Sequence, residues 1–163
     1  MKPNKLESAA VSLLLPRLND ENNAYYFYRS AYNWCNGAGF KYAAEYFKNE
    51  SADELVHARG LEDYLSNWNV IPNLAAIEKP VVKFEGLIDI IEQAYEMEFN
   101  LLSAYQETYE KMCDISPVTH TFLQNYINIQ NNSVADYSTK LNILEGVVDN
   151  KINLLLIEKG LFL

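Results

Sequence analysis

Apolar positions recur along this chain in alternating steps of three and four residues. At 3.6 residues per turn, such steps keep one face of a helix apolar, the signature of helices packed in a bundle. The first seam is Leu14, Leu18, Glu21, Tyr25, Tyr28, Tyr32 and Cys35. It predicts a helix from about Lys5, or from Leu18, to Cys35. Pro16 leaves two starts open. Either the helix proper begins there, with proline in the first turn, or earlier turns are bent by the missing hydrogen bond. Asn36 to Gly39 reads as a loop. The second seam is Ala44, Phe47, Ser51, Glu54, Ala58, Leu61 and Leu65, on a helix reaching about Trp68.

Asn69 to Phe84 is a connector broken by Pro72 and Pro80. Extended, it spans roughly 50 Å at about 3.3 Å per residue. That exceeds the roughly 42 Å of a 28-residue helix, so it can cross a whole bundle. The third seam is Leu87, Ile91, Ala94, Glu98, Leu101, Tyr105, Thr108 and Met112, on a helix from about Glu85 to Met112. Cys113 to Pro117 turns the chain. The fourth seam is Leu123, Ile127, Gln130, Val134, Tyr137, Leu141 and Leu144. Lys151 to Leu163 (KINLLLIEKGLFL) reads as a short fifth helix, so apolar that it is expected to be buried, between subunits. The expectation is an all-α single domain over residues 1–163. A four-helix bundle occupies about 5–145, with a long crossover between its second and third helices, and a short helix follows at about 151–162.

Composition agrees. A chain of 163 residues, 49% apolar, is long enough for one sizeable core, and only 6 Gly and 5 Pro favour long helices. The formal net charge of -9 argues against binding nucleic acid or an anionic membrane, and suits a protein that attracts cations. Two cysteines, Cys35 and Cys113, make no disulfide framework and read as free thiols. The apolar run Ala9 to Leu15 is too short to span a bilayer. Polar Asn4 and Glu7 precede it and no cleavage site follows, so a cytoplasmic protein is expected.

Each long helix carries one polar residue in mid-seam: Glu21, Glu54, Glu98 and Gln130. Glu21 lies about 17 residues before the middle of the first loop and Glu54 about 16 after it, so on antiparallel helices they come level. Glu98 and Gln130 flank the Cys113–Pro117 turn at similar depth. His57, three residues after Glu54, shares its face. Glu54 and His57 alone suit a plain hydrogen-bonded pair. Three acids at one depth do not, because a buried carboxylate must be protonated, paired or bound to a cation. Two divalent cations would neutralise the set, carboxylates and imidazole suit non-haem iron, and Glu54 is the natural bridge. A carboxylate site inside a four-helix bundle is a di-iron pattern. A second Glu-x-x-His is missing, since Ser133 stands three after Gln130. The site is therefore asymmetric.

These residues resemble those of non-haem ferritins over nearly the whole chain. The carrying motifs are Glu21 with Tyr28 seven later, Asp53-Glu54-x-x-His57, Glu98, and FLQxYxxxQ from Phe122 to Gln130. The resemblance implies a ferroxidase centre that oxidises Fe(II) with O2 or H2O2. Glu21, Glu54 and His57 would hold the first iron, Glu54 and Glu98 the second, with Gln130 beside them. Tyr28 would hydrogen-bond near the centre and supply an electron, or simply pack the core. It further implies a homo-oligomeric shell of 24 subunits, whose fifth helix lines the four-fold channel. Ile129, Asn132 and Ser133 stand where many bacterial ferritins carry acids for a third iron. His120 and Leu123 stand at three-fold-channel positions that are often acidic. Leu55 replaces the haem-ligating Met of bacterioferritins, so no haem is implied. Two other readings are a storage subunit with a catalytically poor site and another di-metal carboxylate oxidase on the same bundle. The runs Glu50/Asp53 and Glu107/Glu110 read most simply as solvated faces.

Overall fold

The structure is a computed structural model and describes residues 5–163; residues 1–4, Asn4 among them, lie outside the described residues. Five helices follow in order: α1 (Ser8–Ala38), α2 (Lys41–Asn67), α3 (Leu87–Met112), α4 (Pro117–Leu144) and α5 (Lys151–Phe162). No strand occurs among the described residues. No described helix is long and apolar enough to cross a membrane.

Local chemistry explains most boundaries. α1 ends at Gly39, whose φ of 90° is left-handed and cheap only for glycine. The N–H of Phe40 then bonds the carbonyl of Cys35 at 3.0 Å, closing the helix end. α4 opens on Ser116, whose hydroxyl accepts from the N–H of Thr119, with Pro117 in the first turn. Asn150 caps α5 in the same way, accepting from the N–H of Asn153 at 2.9 Å. α2 has no local cap. Its first-turn amides of Tyr42 and Ala43 donate instead to Glu158 Oε2 of α5, at 3.2 and 3.3 Å. A buried carboxylate from the last helix thus closes the start of the second, where the helix dipole favours negative charge.

The connector runs the length of α1. The N–H of Glu78 donates to Asn23 Oδ1 at 3.1 Å, the Ser30 hydroxyl donates to the Val81 carbonyl, and Phe84 meets Phe27 edge-on. This crossing sets α3 antiparallel to α1: Tyr28 faces Glu98 while Glu21 faces Tyr105. The core falls into two apolar clusters. One holds Tyr28, Phe47, Ile91, Tyr137 and Phe162; the other holds Leu14, Leu61, Tyr105, Leu123 and Tyr126. Glu21, Glu54, Glu98 and Gln130 form a buried polar layer between them.

The expected seams of α2 and α3 are buried at every position. α1 differs. It runs unbroken through Pro16, which excludes a start there, and Ala24 and Ala31 are buried in place of Tyr25 and Tyr32. A 3-4 and a 4-3 count from Glu21 share every other position. The small alanines are fully covered, and the larger tyrosines sit half-buried on the flank. In α4, Tyr126 and Lys140 are buried more deeply than Ile127 and Leu141. Lys140 is tolerated because Nζ bonds Asp136 and lies 4.6 Å from the Tyr46 ring centroid. Leu123 is fully buried and cannot line a channel. His120 is half-buried, with Nδ1 2.8 Å from the Tyr109 carbonyl. Both cysteines are free.

Replacing Glu158 with alanine strips two amides of their acceptor, one of them buried. A loss of about 1–3 kcal/mol is expected. The guanidinium midpoint should fall, and hydrogen exchange should quicken at Tyr42 and Ala43.

Candidate metal centre

The polar layer is assembled from all four long helices. Glu21 comes from α1, Glu54 and His57 from α2, Glu98 from α3 and Gln130 from α4. Ligand atoms of Glu21, Glu54 and His57 all lie within 4.8 Å of one another. His57 Nδ1 is 3.3 Å from Glu54 Oε2 and 3.7 Å from Glu21 Oε2. Glu98 sits beside this trio and is held separately. Its Oε1 accepts from the Tyr28 hydroxyl and its Oε2 from Gln130 Nε2, the latter at 2.9 Å. Gln130 therefore addresses Glu98 rather than the trio.

One atom is left over. Glu21 Oε2 is buried with no hydrogen-bond partner, although Oε1 of the same carboxylate accepts from the Tyr105 hydroxyl. An unpaired buried carboxylate oxygen is costly. It points to where His57 Nδ1 and Glu54 Oε2 converge. Hard oxygens with one imidazole nitrogen are a donor set that fits Fe(II) or Fe(III).

A family model described as a ferritin-like domain matches residues 11–147. The chain belongs to the ferritin family. It is 29% identical over 149 residues to a probable bacterial non-heme ferritin-like protein of Haemophilus influenzae, covering 88% of this chain and 90% of that protein. It is also 29% identical over 153 residues to the bacterial non-heme ferritin of Campylobacter jejuni, covering 92% and 86%. Among solved structures, the open pore ferritin of the hyperthermophilic archaeon Archaeoglobus fulgidus superposes with a TM-score of 0.90 at 25% identity, over 96% of each chain. A humanized archaeal ferritin gives 0.91 at 26%, over 98% of this chain and 97% of that one.

Burial dominates the electrostatics of this ferritin's polar layer. It holds Glu54 well above the carboxylate range; the His57 hydrogen bond works against it, and Glu21 and Glu98 push the same way as burial. Burial also raises Glu98, opposed by the hydrogen bonds from Tyr28 and Gln130. At His57 burial pulls downward but loses to the neighbouring Glu21 and Glu54 carboxylates, which lift the imidazole to about 10. In the metal-free protein the proton on His57 thus stands in for a cation.

Two contributors escaped the sequence reading. Tyr105 was expected only as a seam aromatic, yet it bonds Glu21. The signal was present: Glu98 is followed by Tyr105 seven residues later, as Glu21 is by Tyr28, and each tyrosine bonds the other helix's glutamate. Glu50 is the second. It was read as part of a solvated face, but it is half-buried and accepts from the Tyr137 hydroxyl at 3.2 Å. Burial first, then the charge of Glu98, pushes it to about 7. Its place one turn before Glu54 was the available clue. Asp53 is exposed, and Ile129, Asn132 and Ser133 bring no carboxylate.

A carboxyl whose folded pKa exceeds its unfolded value stabilises the fold when protonated. For Glu50 that stability is whole below about 4.5 and is lost as pH rises through about 7. Glu54 and Glu98 have the same sign. Chelator-treated protein should therefore lose stability across this window. Glu50→Gln should flatten the slope of guanidinium midpoint against pH; an unchanged slope would place the effect elsewhere.

Proposed function

We propose that this protein is an iron-storing ferroxidase, with iron as its substrate and cargo. The observation that carries the reading is the convergence of Glu21, Glu54 and His57 on the unpaired Glu21 Oε2, inside a layer closed by apolar clusters on both sides. Glu21, Glu54 and His57 take the first Fe(II). Glu54 and Glu98 take the second, with Glu54 as the bridge. Gln130 and Tyr28 fix Glu98, and Tyr28 is placed to give up an electron. Carboxylate oxygens favour the ferric over the ferrous ion, so the site lowers the cost of handing electrons to O2 or H2O2. The chain's part is to hold two metals close in a dry cage.

Storage requires a shell, and a homo-oligomer of 24 subunits is the proposed form. In support, α5 buries Leu154, Leu161 and Phe162 within its own subunit while leaving Ile152 and Leu156 72% and 77% exposed. Such an apolar face needs covering. A second reading is a shell subunit with a slow site. It is favoured by α4, which brings the amide of Gln130 to the buried layer and has Asn132 and Ser133, not acids, close after it.

Metal-free protein and Glu54→Ala, each sized by light scattering, should be mixed with Fe(II) under air and followed by stopped-flow absorbance of ferric species. Wild type should oxidise iron well ahead of free Fe(II), and the variant should lose this phase. Equal rates in the two would end the bridging role. A shell that oxidises iron no faster than buffer would support the slow-site reading.

A further inference from the structure

Two rows of aromatic rings leave the polar layer, one into each apolar cluster. In the first, Tyr28 stacks on Tyr137 at 6.4 Å between centroids, and Tyr137 meets Tyr46 at 6.1 Å. In the second, Tyr105 stacks on Tyr126 at 5.3 Å, Tyr126 meets Phe122 at 5.3 Å, and Phe122 stacks on Tyr64 at 3.8 Å. Tyr64 then meets Trp68 at 6.4 Å. The ends of the rows differ. Lys140 Nζ lies 4.6 Å from the Tyr46 centroid and 5.9 Å from that of Tyr137. A cation over a ring opposes taking an electron from it. The second row ends on partly exposed Trp68 at the close of α2, and indole is among the most easily oxidised side chains.

The second row is also fitted closely. A Cβ at Gly60 would lie 2.5 Å from the Tyr126 hydroxyl oxygen. Only glycine leaves that ring its place, where the hydroxyl donates to the His57 carbonyl at 2.9 Å. Tyr126 so rests on the turn that carries His57, and Tyr105 on Glu21.

We propose that Tyr105, Tyr126, Phe122, Tyr64 and Trp68 form an electron path from the end of the bundle to the metal centre, with Trp68 as the donor. The inference rests on the ferroxidase reading. Two Fe(II) give O2 two electrons, which with two protons makes H2O2. Reducing H2O2 to water takes two more electrons. Tyr105 delivers one as its phenolic proton shifts to Glu21 Oε1. An electron from Trp68, passed through the intervening rings, restores Tyr105 as that proton returns, and the indole N–H proton leaves to water. Tyr28 supplies the other electron, its proton passing by way of Glu98 Oε1 to the peroxide, which takes its second proton from water. In sum, H2O2, one indole N–H and one phenol O–H become two waters, an indolyl radical and a phenoxyl radical. The path spends an aromatic electron at the protein surface instead of leaving peroxide beside Fe(II).

The test is freeze-quench EPR on the full chain, with Fe(II) enough for both metal positions and air, grown on ring-deuterated or ordinary tryptophan. Wild type should show an indolyl signal that narrows on deuteration and is lost in Trp68→Phe. Phe122→Leu, which cuts the row without touching a proposed ligand, should lose the indolyl signal; Phe122→Tyr should keep it. An indolyl signal unchanged in Phe122→Leu or Trp68→Phe, or only tyrosyl signals in wild type, would overturn the path. If wild type oxidises no iron, the parent reading fails separately. The path is then judged in metal-free protein, where ultraviolet photolysis of the frozen sample generates tyrosyl radicals. On warming, an indolyl signal that grows as the tyrosyl signal falls, and that is lost in Trp68→Phe and Phe122→Leu, keeps the path; no such growth in wild type, or growth unchanged in Phe122→Leu, ends it.

Discussion

Three buried carboxyl groups and a largely covered imidazole share one layer, and the rest of the structure is arranged around that cost. Removing one charge from water costs several kcal/mol even after relaxation. A hydrogen bond to a charged group returns only about 1.5–3 kcal/mol. Every partner in the layer is a partial offset of this kind: Tyr105 on Glu21, Tyr28 and Gln130 on Glu98, His57 on Glu54. The offsets stop one oxygen short, at Glu21 Oε2. A site built to be complete without a cation would have no reason to leave that atom bare.

The tyrosines show how two helices share the task. α1 and α3 run antiparallel, and each carries a glutamate followed two turns later by a tyrosine. Antiparallel packing brings each tyrosine level with the opposite glutamate, so one spacing used twice yields two crossed bonds. The device depends on the connector, because only a full-length crossing returns the chain to the end from which α3 must start. A short loop would set α3 antiparallel to α2 and parallel to α1, and the pairs would miss.

Much of this was legible beforehand, and where it was not the reasons are specific. The seams of α2 and α3 could be read because their buried positions are apolar or conspicuously charged, with little competition from neighbours. On α1 a run of aromatics offers two overlapping seams, and periodicity alone does not choose between Tyr25 and Ala24. Lys140 was hidden because a lysine can be buried only where a carboxylate and aromatic faces await it, and Asp136 supplies that one turn away while Tyr46 lies on another helix. Glu158 was hidden for the same kind of reason: its partners are amides more than a hundred residues earlier in the chain. The burial of Glu21, Glu54 and Glu98 was easier to read, since a charge in a seam is visible without knowing what lies opposite it.

The asymmetry of the centre follows from what each half is asked to hold. On the Glu21 side, a histidine nitrogen and two carboxylate oxygens converge with one oxygen unpaired. On the Glu98 side both carboxylate oxygens already accept hydrogen bonds, and the fourth helix offers an amide where an acid would add charge. A cation on the first side would replace the proton that His57 holds, and gain the bare oxygen. A cation on the second must compete with Tyr28 and Gln130 for Glu98. If two cations bind as proposed, the two halves would therefore meet them with unequal donor sets. The half-buried Glu50, a turn before Glu54, feels the charge of Glu98 and so belongs electrostatically to that second half.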